Sequence, residues 1–260
     1  QFRYKRFGYK GEIANLLAVF LSRKVDLLIA NTWVGLNEYV SRGLAAKKSV
    51  VIPNGVDTEK FRPDKNIRNN IRYEYGIKPT ELLIGVIARM VEWKGYEYFL
   101  EAARQLLSEP EYDVRFMCVG GGNNVLQEQY VRKTRHYSIA NRFFWLGDRS
   151  DVARILNGLD ILTLPSLEGE GFPNVIGEAM ATSVPVVATD VGDVRKIIGG
   201  AGYVVPPMDP TAIVTAWKEL IHSEKFRQQI GEQARCSVLS NYSITSYVER
   251  TEHELIGIKR

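Results

Sequence analysis

From Leu82 onward the sequence alternates between two hydrophobic periods, and this alternation restricts the fold more than any other feature. Residues 82–88 (LLIGVIA) form a continuous apolar run with β-branched members, the pattern of a strand buried on both faces. Tyr96, Phe99, Leu100, Ala103, Leu106 and Leu107 then recur at helical spacing. The cycle repeats with a strand over 114–119 that runs into Gly120-Gly121-Gly122, and a charged helix over 125–137. A strand over 143–146, a helix over 151–157 and a strand over 161–164 follow. The pattern then predicts a helix over 174–181, a strand over 184–189, a short helix over 194–198 and a last short strand over 202–205. Such alternation implies βαβ units and an α/β, doubly wound parallel sheet.

Residues 1–52 break the same pattern short. A strand over 25–30, a helix over 34–44 and a strand over 49–52 look like the last βαβ unit of another Rossmann-like sheet. Pro53-Asn54-Gly55-Val56-Asp57 is strongly turn-forming and is the expected boundary. The expected division is therefore 1–52 for the end of a first domain, 53–240 for a complete second domain, and 241–260 for a closing helix that crosses back. Two helices, over 224–239 and 244–258, are expected at the end. The chain starts at Gln1, and residues 1–52 are too few for a whole Rossmann-like domain, so a fragment is expected.

Composition limits the partners. The net charge of +4 suits a small anionic ligand or a membrane surface, and is too weak to argue for nucleic acid. The two cysteines, Cys118 and Cys236, are far apart, and Cys118 sits in an apolar run as a small core residue. A reducing, cytoplasmic setting follows. No Cys-x-x-Cys or His-x-x-x-His spacing is present, so no metal is expected. The three histidines, His136, His222 and His253, lie in polar stretches and are expected at the surface. No apolar run is long enough to span a bilayer. Residues 1–11 mix Arg3, Lys5, Arg6 and Lys10 with Phe2, Tyr4, Phe7 and Tyr9, a mixture that suits peripheral contact with the cytoplasmic face of an anionic membrane. An ordinary loop of the first domain explains it equally.

In an open parallel sheet, ligands bind at the carboxyl ends of the strands near a switch point, so the loops there carry the chemistry. The loop over 89–95 contains Arg89 and Lys94, two cations just before a helix. Arginine grips a phosphate through two parallel hydrogen bonds and lysine adds a mobile point charge. A solvated basic loop would look the same. Gly120 and Gly121 let backbone N–H groups approach a ligand closely, but no G-x-G-x-x-G follows. The richest segment is 165–181, PSLEGEGFPNVIGEAMA. Pro173 fits the first turn of a helix, and the free N–H groups there attract an anion. Glu170 precedes the helix and Glu178 lies about one turn inside it. Carboxylates only accept hydrogen bonds, which suits sugar hydroxyls that must donate. Phe172 is expected to be exposed beside them, where it serves no packing purpose. The simpler alternative makes Glu178 a surface residue and Glu170 a complement to the helix dipole.

The run EGFPNVIGEAMA, with Glu170 and Glu178 separated by seven residues, resembles the E-x7-E signature of retaining glycosyltransferase family 4, whose fold is GT-B. IPNGVD at 52–57, GVIARMVEWKG at 85–95, VGGG at 119–122, LGDRSDV at 146–152, VPVVATDVGD at 184–193 and GYVVPPMDP at 202–210 follow in the family's order. The resemblance implies a donor-binding C-terminal domain that holds a UDP- or GDP-linked sugar and transfers it, with retention, to a glycan or lipid-linked acceptor. It implies that Arg89 and Lys94 bind the diphosphate and stabilise the leaving group. Glu170 would contact the transferred sugar and Glu178 the ribose. The backbone of Gly171, Phe172 and Asn174 would line the sugar and phosphate pocket, Pro173 and Val175 would belong to the same donor-binding segment, and Arg149 and Asp151 would approach the base. Asn54 and Gly55 match the interdomain hinge. No metal or other cofactor is implied.

The sequence also departs from the family. The loop 190–193 reads DVGD where many relatives carry Gly-Gly and a glutamate soon after, which puts its phosphate contacts in doubt. Residues 1–52 lack the family's first glycine-rich loop, and no histidine precedes His136. The chain is therefore expected to bind donor but to transfer sugar poorly by itself. Two other functions fit the same pattern: a non-catalytic nucleotide-sugar binding or assembly module, and an NAD-dependent oxidoreductase. The missing G-x-G-x-x-G disfavours the second.

Overall fold

The computed structural model describes residues 8–258, with the side chains of 8–13 and 15 left out, so the basic-aromatic start lies outside the described residues. Helix α1 (Gly8–Ser22) leads into β1 (Leu27–Ala30), α2 (Trp33–Ser41) and β2 (Lys48–Val51). β1 and β2 pair in parallel as a separate two-stranded sheet. The rest contains α3 (Lys65–Glu74), β3 (Leu82–Ile87), α4 (Tyr96–Leu106), β4 (Val114–Val119), α5 (Asn124–His136) and β5 (Phe143–Gly147). It continues through α6 (Val152–Gly158), β6 (Ile161–Leu164), α7 (Asn174–Ala181), β7 (Val186–Thr189), α8 (Val194–Ile198) and β8 (Tyr203–Val205). Helices α9 (Pro210–His222), α10 (Glu224–Asn241) and α11 (Ile244–Ile258) follow.

The six later strands form one parallel sheet in the order β5-β4-β3-β6-β7-β8. The chain winds outward from β3 to β5, then crosses back through α6 and winds the other way. The switch point therefore lies between β3 and β6, the place where such sheets bind ligands. Both faces are covered, and successive residues feed opposite layers. On β4, Phe116 and Cys118 join the core under α4 and α9, while Met117 and Val119 join the core under α6, α7 and α10. In the first layer Trp217 is fully buried, and its indole N–H donates to Thr163 Oγ1 at 2.9 Å, so its one polar atom is satisfied. Cys118 is buried as expected, and burial pushes its thiol well above the ordinary range.

Three helices were not foreseen: α1, α3 and α9. α3 carries few apolar residues, and its position is set by charge. Arg68 and Arg72 both donate to the buried Asp160 at the start of β6, at 2.5 and 2.9 Å, and Leu83 N–H donates to the same carboxylate at 2.7 Å. α9 starts at Asp209-Pro210, where Asp209 accepts from Ala212 N–H and proline occupies the first turn. The strand expected over 184–189 begins only at Val186, after Pro185, which has no N–H to give the ladder.

Helix α11 contacts both the 53–57 turn and the first sheet. Val56 N–H donates to Tyr242 O at 2.7 Å, Ile244 N–H donates to Val56 O at 3.1 Å, and Lys48 on β2 pairs with Glu254 on α11 at 2.5 Å. Among the described residues no helix is long and apolar enough to cross a membrane.

Candidate functional site at the switch point

The loops after β3 and β6 are zipped together. Leu167 N–H donates to Trp93 O at 2.8 Å. Gly95 joins them with a left-handed φ of 68°, and a Cβ there would lie 1.9 Å from Pro165 O. Only glycine fits so close to a carbonyl. This approach brings Lys94 to Glu170, 76 residues further along the chain. Lys94 Nζ donates to Glu170 Oε1 at 2.5 Å, and both side chains are nearly buried. Ser166 Oγ donates to the same Oε1 at 2.5 Å, and Thr189 Oγ1 in turn donates to Ser166 O at 2.5 Å. None of the described hydrogen bonds uses Glu170 Oε2, which leaves one carboxylate oxygen for a hydroxyl. Lys94 keeps further N–H donors beyond the one given to Glu170.

Trp93 ties the two cations together. Lys94 Nζ lies 4.4 Å from its ring centroid, and the exposed Arg89 guanidinium lies 5.8 Å from it. Sequence reasoning missed this platform, along with Ser166 and Thr189, because nothing in their local pattern signals a site.

The helices that start beside the switch point are bare. α4 and α7 begin at Gly95 and Pro173 with no side-chain cap, as α6 and α8 do at Asp151 and Asp193, whereas α3, α5, α9 and α10 are capped by Asp64, Asn123, Asp209 and Ser223. An uncapped first turn leaves backbone N–H groups and positive dipole density for an anion. Gly120 brings the third loop in, since a Cβ there would lie 1.8 Å from Ala88 O. Gly121 N–H donates to Asp148 Oδ1 at 3.3 Å.

Glu178 lies on the exposed side of α7, one turn in, and Asn174 shares its face. Together with Asn54, Asp57, Lys60 and Tyr247 they line a cleft of about 420 Å³. Burial pushes the Glu178 carboxyl above the ordinary carboxylate range, and the Lys60 ammonium partly opposes this. Asn54 Nδ2 donates to Asn174 Oδ1 at 2.8 Å, so the expected hinge touches the start of α7 directly. Gly55 lies against Ile244 and Tyr247 of α11.

One expected environment needs correction, that of Phe172. Phe172 is not exposed: it is 7% accessible, belongs to the core under α7 and packs against Tyr242 at 5.6 Å. It therefore has the packing purpose the sequence hid, and only its backbone is left for a ligand. Pro173 is likewise buried, and the Val175 side chain packs against that core. Arg149 makes two hydrogen bonds to Asp151, both at 2.8 Å, so each partner already holds the other. In the divergent loop, buried Asp193 turns to the first sheet's helix. Its Oδ2 accepts from Trp33 N–H at 2.5 Å and Val34 N–H at 3.4 Å at the start of α2. Gly171 faces the same region, 3.5 Å from Thr32 Cγ2 if given a Cβ.

Comparison with known proteins agrees with this geometry. The sequence model of the family described as glycosyl transferases group 1 matches residues 81–223. The D-inositol 3-phosphate glycosyltransferase of Corynebacterium diphtheriae is 30% identical over 237 residues, 87% of this chain and 55% of that protein. The UDP-Gal:alpha-D-GlcNAc-diphosphoundecaprenol alpha-1,3-galactosyltransferase of Escherichia coli is 27% identical over 206 residues, 78% of this chain and 52% of that protein. The chain thus spans about half the length of these curated relatives. The crystal structure of Anabaena HepE in complex with UDP and glucose superposes with a TM-score of 0.86 at 21% identity, over 97% of this chain and 68% of that one, which shows a shared fold. With its parallel sheet, its bare helix starts at the switch point and these matches, the chain belongs to the group 1 glycosyltransferases and has their GT-B type of α/β architecture.

Proposed function

We propose that this chain carries the donor site of a retaining glycosyltransferase that moves a sugar from a nucleotide-diphosphate donor to a glycan or lipid-linked acceptor. The observation that carries this reading is the Lys94–Glu170 pair beside the uncapped start of α7, with Glu170 Oε2 unused. A cation and a helix start suit a diphosphate, and a free carboxylate oxygen suits a sugar hydroxyl. Glu178 faces a cleft large enough for a nucleoside, where it would accept from ribose hydroxyls.

In this reading the bond from the anomeric carbon to the diphosphate breaks through an oxocarbenium-like transition state. Negative charge grows on the departing diphosphate. Arg89, Lys94 and the first N–H groups of α7 stabilise it in place, with no metal required. Trp93 holds both cations in position by stacking beneath them. Relatives supply the chemical context: HepE has been crystallised with UDP and glucose, and the E. coli relative is named for a diphosphoundecaprenol-linked acceptor. In this reading a lipid-linked acceptor would put the reaction at the cytoplasmic face of a membrane.

The test is a donor screen by ligand-observed binding with UDP-, GDP- and ADP-sugars, and NAD as a comparison. Saturable binding of one nucleotide-sugar, weakened by Lys94→Ala, supports the reading. Binding of NAD alone, or of no nucleotide, overturns it. The non-catalytic alternative predicts binding with no transfer in any length of chain that contains both domains.

A further inference from the structure

Beside Glu178 the side-chain amides of Asn31, Asn54 and Asn174 form a hydrogen-bonded chain, and Asn54 and Asn174 line the cleft; of the three, the donor-site reading uses only Asn174. Asn31 Nδ2, at the end of β1, donates to Asn54 Oδ1 at 3.3 Å. Asn54 Nδ2 donates to Asn174 Oδ1 at 2.8 Å. An amide has one acceptor end and one donor end, so each bond in the chain fixes the orientation of the next group. Asn174 is the first residue of α7 and shares the cleft with Glu178. Its acceptor end is taken by the hinge. Its NH2 group is therefore left beside the bare backbone N–H groups of the helix start.

We propose that Asn54 is a positioning residue of the donor site: it holds the Asn174 amide so that a ligand anion at the start of α7 meets only donors. This rests on the donor-site reading. With the amide reversed, the Asn174 carbonyl oxygen would face the diphosphate and repel it. The arrangement divides the cleft by chemistry, with Glu178 accepting from hydroxyls and Asn174 donating to phosphate oxygens. Asn31 extends the chain from the end of β1, which links the two-stranded sheet to the donor helix through Asn54.

The test uses UDP and GDP as probes on the 260-residue chain, with affinity measured by calorimetry. Asn54→Asp puts an acceptor-only group opposite Asn174 and turns that amide round. Affinity falls by about tenfold or more, the range expected for a hydrogen bond to a charged group. The new carboxylate also repels the diphosphate directly, so the decisive measurement is a double-mutant cycle with Asn174→Ala. Removing the amide abolishes the orientation part of the loss but leaves the charge part, which gives a coupling of about fivefold or more. In Asn54→Asp alone, protonating the new carboxyl at low pH restores an O–H donor, so affinity recovers relative to the parent as pH falls. The neutral variant Asn54→Ala frees the amide and loses part of the affinity, again only while Asn174 is present. Equal losses with and without the Asn174 amide, or unchanged binding in Asn54→Ala, overturn the inference while leaving the donor site in place. If the parent chain binds neither nucleotide, the donor-site reading itself fails and this inference with it.

Discussion

Gly95→Ala tests whether the contact between the two switch-point loops builds the site. Gly95 has φ 68°, a conformation that disfavours a side chain by roughly 1–2 kcal/mol. Gly76 has φ 60° with open space around its Cβ position, and lies after α3, away from the site. Gly76→Ala therefore measures the backbone effect alone. At Gly95 the added Cβ would lie 1.9 Å from Pro165 O, where ordinary contact starts at 3.4 Å, so the loops must part by about 1.5 Å. That movement breaks the 2.8 Å bond from Leu167 N–H to Trp93 O, which contributes about 0.5–1.5 kcal/mol. It also draws Lys94 off Glu170. The expected destabilisation is about 1.5–3.5 kcal/mol for Gly95→Ala against about 1–2 for Gly76→Ala, read from urea unfolding midpoints at constant slope. Nucleotide affinity, measured by calorimetry on the folded variants, falls about tenfold or more for Gly95→Ala and not for Gly76→Ala. If the two variants lose equal stability and both keep the parental affinity, the loop contact does not organise the site and the reasoning is wrong.

If the donor-site reading holds, Lys94→Ala in the full-length enzyme lowers the transfer rate by about 10²-fold or more, the usual loss when one transition-state donor is removed; a near-parental rate in a steady-state transfer assay removes Lys94 from the chemistry. Glu178→Gln separates function from stability. Because burial raises this carboxyl's folded pKa, its stability contribution is fully present below the ordinary carboxylate value and is lost as pH rises through the raised value. The variant therefore melts higher than the parent at neutral pH, the difference vanishes near pH 4, and nucleotide affinity drops; thermal scans showing a lower neutral-pH midpoint would contradict this. Asp160→Ala strands the buried Arg72 guanidinium and destabilises by about 3–5 kcal/mol in chemical unfolding. A loss below about 1 kcal/mol, the value of an exposed pair, would mean that solvent reaches the arginine. Transfer measured with a chelator present proceeds at the untreated rate if the cations alone carry the diphosphate; a collapse that added divalent metal reverses assigns that task to an ion.

The elements most legible in the sequence were those with a strong apolar run or a strong local start signal. Residues 161–164 and 174–181 were predicted with the bounds the structure has, the first as a short run buried on both faces and the second because Pro173 marks a helix start after a glycine-rich loop. α3 was missed for the opposite reason. Its place depends on Arg68 and Arg72 reaching Asp160, 92 and 88 residues away, and no local period records such a bond. Phe172 was misjudged because an aromatic in a glycine-rich loop looks exposed until Tyr242, from beyond α10, is folded over it. α9 could have been found, since Asp209 followed by Pro210 is a standard helix start.

The sequence by itself determined the strand–helix alternation, the loops at the strand ends, and the residue types able to hold a nucleotide sugar. These depend on which residues avoid water and which turn the chain, and both are local properties. Only the tertiary structure decided which groups meet. Strand order places β3 beside β6, and so Lys94 finds Glu170 rather than a free diphosphate, with one carboxylate oxygen left over. The crossing of α11 and the hinge set Asn54 against Asn174, and Asp193 against the start of α2. Hydrogen bonds and ion pairs act over about 3 Å and depend on angle, so they are fixed by how distant segments dock and not by the order of residues along the chain.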